Sequence, residues 1–215
     1  MKVPRFSVVV PAYNEAGYLP RLLDTLNVAR VRYRGGADAI EFIVADNAST
    51  DGTADIARHR GCRVVHVEKR VIAAARNGGA RAARGEVLAF VDADFQVHPE
   101  TFNAIDDALG TGRVVAGATG VEPERVSLGL AVTFLLMMPL VWTTGMDTGL
   151  VFCRREDFEA IGGYNERRLF AEDVQFLWDL KRLGRARGQK LARVTSVKAV
   201  ASMRKFDEYG EWHYL

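Results

Sequence analysis

Two cysteines, Cys62 and Cys153, are all that the 215 residues contain, and they stand alone in no metal-ligand spacing. That excludes a disulfide framework and a zinc finger, and it predicts two buried thiols in a reducing, cytoplasmic setting. Charge is equally sparse: the formal net charge is +2, with no Lys/Arg-rich tail, so bulk charge offers nothing to nucleic acid. A GxxxxGK[ST] loop is missing, and so is a GxGxxG after the first apolar run. Their absence argues against a P-loop NTPase and a dinucleotide dehydrogenase. The apolar run in "MKVPRFSVVVPAYNE" is too short for a signal peptide and reads as a first strand. Internal repeats, low-complexity tracts and linkers are also missing. What remains is an ordinary globular composition, 48% apolar and 26% charged, in a length that suits a single domain over 1–215 with one well-buried core.

Strand and helix patterns alternate through the first half. "RFSVVVPAYNE" is a β-run stopped by Pro11, and "YLPRLLDTLNVARV" carries Leu19, Leu22, Leu23 and Leu26 at helical spacing. "IEFIVADNAST" is a second strand. The helix after it is expected to take Ser49, Thr50 or Asp51 as N-cap and to stop at Gly61. "CRVVHVEK", "EVLAFVDAD" and "GRVVAGATGVE" are further strands, separated by an Ala-rich helix in "VIAAARNGGARAARG" and by "HPETFNAIDDALG". Later, "LFAEDVQFLWDLKRLG" reads as a helix ending at Gly184. The alternation predicts an α/β fold, a doubly wound, mainly parallel sheet with helices on both faces. In such sheets ligands sit outside the carboxyl ends of the strands.

Those ends collect polar residues. The first strand delivers Pro11, Ala12, Tyr13, Asn14 and Glu15; the second Asp46, Asn47, Ser49 and Asp51; the fourth Asp92 and Asp94. Two carboxylates one residue apart at the end of a buried strand repel each other unless something positive lies between them. A divalent cation shared with a substrate diphosphate meets that need, because Mg²⁺ and Mn²⁺ take hard oxygen ligands. Residues i and i+2 of an extended backbone face the same side. Asp92 and Asp94 can therefore serve one bound assembly, one through the metal and one through a ribose hydroxyl.

The segments "VVVPAYNE", "VADNASTDGT", "AAARNGGARAARGEVLAFVDAD", "GGYNE" and "AEDVQF" occur in this order, and the ordered set resembles family 2 glycosyltransferases of the GT-A fold. The resemblance implies a nucleotide-diphospho-sugar donor, UDP- or GDP-linked, a Mn²⁺ or Mg²⁺ cofactor and an inverting transfer to an acceptor hydroxyl. It implies a nucleotide-sugar-binding half over 1–120 and an acceptor-side half over 121–215. It also implies roles. Pro11, Ala12, Tyr13 and Glu15 line the nucleotide pocket, and Asp46 recognises the base. Arg76 helps hold the donor. Asp92 and Asp94 form the DxD, the second being the usual metal ligand, with His213 as a candidate third ligand. Asp173 is the catalytic base, with Glu172 orienting the acceptor or raising the base's pKa. Gly162, Gly163 and Tyr164 shape the acceptor side, and Arg204 and Lys205 reach the diphosphate. The family's usual Asp-Asp-Gly-Ser is Asp46-Asn47-Ala48-Ser49 here. The lost glycine is expected to shift that turn slightly.

An uncharged stretch, 126–146, has the length of a membrane span, about 20 residues. A single spanning helix would separate Asp92 and Asp94 from Asp173, so it is expected to pack on the sheet or to lie against a membrane. The second option suits a lipid-linked acceptor, envelope glycan synthesis and a peripheral location at the inner face of the plasma membrane. A homodimer is an admissible state, and the ending "WHYL" is compatible with a chain that continues past Leu215. Two other readings stay open: a nucleotide-sugar-binding subunit without turnover, and a sugar nucleotidyltransferase.

Overall fold

The computed structural model describes residues 3–125, 149–168 and 171–204. The expectations on 126–146, on Lys205 and on His213 lie outside those residues. The first half follows the alternation read from the sequence: β1 Phe6–Ala12, α1 Leu19–Arg32, β2 Ile40–Asp46, α2 Thr53–His59, β3 Arg63–His66, α3 Ile72–Ala82 and β4 Val87–Phe90. Then come β5 Phe95–Gln96, α4 Thr101–Gly110, β6 Val114–Pro123, β7 Val151–Arg154, α5 Arg155–Ile161, α6 Glu172–Ala186 and β8 Lys190–Ala201.

The described strands form one sheet in the order β3-β2-β1-β4-β7-β6-β8-β5. Pairings β1·β2, β1·β4, β2·β3 and β6·β8 are parallel, while β4·β7, β6·β7 and β5·β8 are antiparallel. Only β7 and β5 of these strands therefore run against the rest. The carboxyl ends of β1, β2, β4 and β8 come out at one edge, and the start of β7 meets them there.

Alternation along β1 splits the core in two. Phe6, Val8 and Val10 face α1, α2 and α4, packing with Leu22, Leu26, Phe102 and Ile105. Val9 faces the other way, with Ile43, Leu88, Phe90 and the helices α3, α5 and α6. Full burial of each large side chain contributes about 1.5–3 kcal/mol. The glycines of α3 belong to this packing: a Cβ at Gly79 would lie 2.4 Å from Val9 Cγ1. Helix and strand thus approach more closely than any side chain at residue 79 permits.

One expectation needs correction. Gly184 does not stop α6, which runs on to Ala186. A Cβ there would meet Val115 Cγ1 at 2.6 Å, so the glycine lets α6 sit on β6. In the turn after β2, Ala48 holds the left-handed conformation, φ 60, that a glycine would take freely. Among the described residues no helix is long and apolar enough to cross a membrane.

Candidate functional site

Among the described residues three non-glycines hold positive φ: Asn14 at 55, Ala48 at 60 and Ala171 at 54. Each sits in a loop that carries a candidate motif, after β1, after β2 and before α6. Strain held at such places marks loops whose shape the surroundings over-determine. The first two loops are laced together. Asn14 N–H donates to Ser49 Oγ at 3.1 Å, and Thr50 N–H donates to Asn14 Oδ1 at 2.8 Å. Glu15 N–H donates to Thr53 Oγ1 at 2.8 Å, and Asp51 Oδ2 accepts from Ala16 N–H at 3.2 Å. The capping residue of α2 by position is Gly52, yet Asp51 Oδ1 accepts from Thr53 N–H at 3.0 Å. Of the three expected caps, Asp51 does that work, while Ser49 and Thr50 hold the neighbouring loop.

Asp92 and Asp94 each meet an arginine. Arg76, 7% exposed, donates from Nη2 to Asp92 Oδ1 at 2.9 Å and from Nη1 to Glu172 Oε1 at 2.6 Å. Its guanidinium lies over the ring of Tyr164, 5.2 Å from the centroid. Burial opposes its charge, but Asp92, Tyr164 and Glu172 outweigh that and hold it firmly protonated. Arg204, just past β8, forks onto Glu15 with Nη1 at 2.7 Å and Nη2 at 2.5 Å. Its Nε reaches Asp94 Oδ2 at 3.2 Å. Burial raises the pKa of Glu15, with Arg204 pulling it back.

Two cavities flank the carboxylates. One, about 430 Å³, is lined by Pro11, Ala12, Tyr13 and Glu15 from the β1 loop, with Asn47, Arg70 and Arg204. The other, about 240 Å³, is lined by Arg76, Tyr164, Asp173 and Ser202. Asp92 and Asp94 line both, so they form the wall between them. Asp173 is half-buried in the first turn of α6, and its Oδ1 accepts from Val174 N–H at 2.8 Å. Burial pushes its pKa above the ordinary 3.8, Arg76 opposes, and Glu172 and Asp92 add to the rise. A carboxylate lifted toward neutral pH is suited to accept a proton.

Several expected residues do other work. Asp46 is buried beside the larger cavity without lining it; its carboxylate accepts from Ser49 N–H at 3.2 Å and meets His66 Nδ1 at 3.2 Å. Gly162 and Gly163 line neither cavity. Gly162 ends α5 in the left-handed conformation. Gly163 leaves room for Asn77, whose Oδ1 would lie 2.7 Å from a Cβ there. Asn77 exchanges hydrogen bonds with the Tyr164 backbone, 2.9 Å each way, which pins Tyr164 against the site. Glu172 is buried on Arg76 and lines neither cavity. His98 accepts from Glu100 N–H ahead of α4, as a helix-start residue would.

Arg70 and Ser202 were not legible as site residues, whereas Asn47 was among the polar residues read at the end of the second strand. Arg70 stacks on Tyr13, 4.9 Å from its ring centroid, at the rim of the larger cavity. Its only signal in the sequence is the basic pair Lys69-Arg70 before an Ala-rich helix.

Parallel strands ending on a carboxylate wall between two cavities define a GT-A type fold. Residues 7–162 match the model of glycosyl transferase family 2, and the chain belongs to that family. The match runs from β1 to the end of α5, so Glu172 and Asp173 lie beyond it. Validoxylamine A glucosyltransferase from Streptomyces hygroscopicus subsp. jinggangensis is 35% identical over 133 residues, 59% of this chain and 28% of the relative. The chain thus spans little more than a quarter of that protein's length. Among solved structures, a mannosyltransferase from Pyrobaculum calidifontis in complex with GDP-Man and Mn²⁺ superposes with a TM-score of 0.71 at 25% identity, covering 92% of this chain and 56% of that one. S. aureus TarS also gives a TM-score of 0.71, at 22% identity, over 96% of this chain and 38% of its own.

Proposed function

We propose that this chain transfers a sugar from a nucleotide-diphospho-sugar to an acceptor hydroxyl with inversion at the anomeric carbon. The observation that carries the proposal is the shared wall: Asp92 and Asp94 line the cavity formed by the β1 loop and also the cavity that holds Asp173. The nucleotide occupies the larger cavity, with its base against Tyr13 and Arg70, and the diphosphate lies toward Asp94 and Arg204. UDP and GDP both suit this arrangement. Asp46 serves the base side indirectly by holding the turn through Ser49. The sugar passes the wall into the smaller cavity. There Asp173 takes the proton of the acceptor hydroxyl as its oxygen forms a bond to the anomeric carbon. The bond from that carbon to the diphosphate oxygen breaks on the opposite face, and its electron pair leaves with the nucleoside diphosphate.

The donor set fits a divalent cation. Asp92 and Asp94 are hard oxygen ligands on one wall, and Mg²⁺ or Mn²⁺ is commonly held by one or two carboxylates plus substrate phosphates. Asp94, with Asp92, would hold it, and bound there it would offset the charge of the departing diphosphate. The acceptor is proposed as a hydroxyl compound, lipid-linked if 126–146 meets a membrane surface.

A thermal-shift screen of UDP, GDP and their sugar conjugates, with and without Mn²⁺, tests the donor half. Selective, Mn²⁺-dependent stabilisation is expected by mass action. No shift with any nucleotide, or a shift unchanged in Asp94→Ala, would sink it. Pyrophosphate as the released product, rather than a nucleoside diphosphate, would identify a nucleotidyltransferase instead.

A further inference from the structure

We propose that Arg76 is a positioning residue that fixes the distance between the DxD strand and the helix of the base, and that it does not bind the donor diphosphate. Its kinetic arm rests on the function proposed above; its binding and stability arms do not.

Three observations support this. First, Arg76 faces the wrong cavity for a diphosphate: it lines the one with Asp173 and Tyr164, whereas the β1 loop and Arg204 line the other. Second, its charge is already used. One guanidinium sits between two carboxylates, Asp92 and Glu172, so the triad is net negative and offers no attraction to an anion. Third, its surroundings are rigid. Tyr164 beneath it stacks on Phe176 of α6 at 4.0 Å between centroids and 11° between planes. Asn77, next in α3, fastens the Tyr164 backbone. Nη1 therefore holds the first residue of α6, Nη2 holds the end of β4, and the base is the next residue along. A guanidinium spans two acceptors in a fixed fork, which a lysine ammonium cannot do.

Lysine therefore separates the two roles. A diphosphate ligand would tolerate Arg76→Lys, since lysine is itself a common phosphate binder. A positioning fork would not. For Arg76→Lys we expect the Kd of UDP or GDP with Mn²⁺ to stay within about threefold. We expect kcat to fall about 10–100-fold, the scale of a sub-ångström to ångström misplacement. Glu172→Gln, which keeps the shape and removes one charge, should also lower kcat at near-constant Kd. The double variant should be no worse than the poorer single, in kcat and in Tm, because both changes break one unit. A kcat in Arg76→Lys within about threefold of the parent would overturn the proposal, whatever the nucleotide Kd, and so would additive effects in the double variant. If the parent chain turns over no donor, the proposed function fails, and Arg76 is still judged by the Tm cycle, in which additivity would overturn the positioning role. If Arg76→Lys does not fold, Glu172→Gln carries the Kd and kcat comparison alone.

Discussion

Asp92 and Asp94 are two residues apart, each has an arginine, and the two arginines differ in almost every physical respect. Arg76 comes from a helix in the middle of the chain, its side chain is 9% exposed, and it joins two carboxylates over an aromatic stack. Arg204 comes from the last described turn beyond β8, its side chain is 28% exposed, and it covers Glu15 and Asp94 at the larger cavity. The first is a fixture: moving it would strand a buried charge. The second is itself more exposed, but the acids it covers, Glu15 and Asp94, are not, so its release uncovers two carboxylates at the wall of the larger cavity. The difference assigns each carboxylate a place. Asp92 is tied to the buried frame that carries Asp173, the proposed base, and Asp94 is tied to Arg204 at the proposed donor cavity.

The comparison can be broken most severely at Glu172. Glu172→Ala leaves Arg76 half-paired in the core and should cost about 3–5 kcal/mol, read as a large fall in urea midpoint. Arg204→Ala is the matching change on the open side. Its stability cost should be smaller, about 1–3 kcal/mol, because the acids it leaves behind border a cavity that water can enter. Mn²⁺ binding without nucleotide should tighten in that variant, since Glu15 and Asp94 lose their covering cation; isothermal titration reads this directly. Equal stability losses in the two variants would erase the distinction.

Asp173→Asn sharpens the rigid side through pH. The folded pKa of Asp173 lies above the ordinary 3.8, so the fold disfavours its ionised form. The wild type is therefore penalised once pH rises through that folded value, whereas asparagine is not. Asp173→Asn should raise Tm at neutral pH, and the gain should shrink toward zero as pH falls below the ordinary value. A gain of the same size at low pH would contradict the burial argument. The smallest effect is expected at Ala48. Ala48→Gly relieves the left-handed strain at φ 60 and should stabilise by about 1 kcal/mol, seen as a modest rise in Tm without loss of nucleotide binding.

Local pattern made the rigid frame's strands legible and left its connections hidden. Val8, Val9 and Val10 announce a buried strand by themselves, and the helical spacing of α1 and α6 is written in their leucines. The DxD stood out because like charges at a strand end are costly. The fork of Arg76 is different in kind. Its partners lie 16 and 96 residues away, so nothing near "ARNGG" signals two carboxylates. Arg204 and Glu15 are 189 apart. Strand β8 was missed because its pairing with β6 shifts register near Thr119/Gly120, which interrupts the period-two pattern in "KLARVTSVKAVA". Gly184 misled because a glycine late in a helix has two physical uses, a stop or a close contact, and sequence alone does not distinguish them.

The central claim is that donor binding and proton removal lie on opposite sides of one carboxylate wall. It is tested most directly by measuring, on Asp173→Asn, both the Kd for the nucleoside diphosphate with Mn²⁺ and the rate of sugar transfer. The account predicts an unchanged Kd and a transfer rate lower by about 10²–10⁴-fold. Transfer that survives the substitution, or nucleotide binding that disappears with it, would contradict the account.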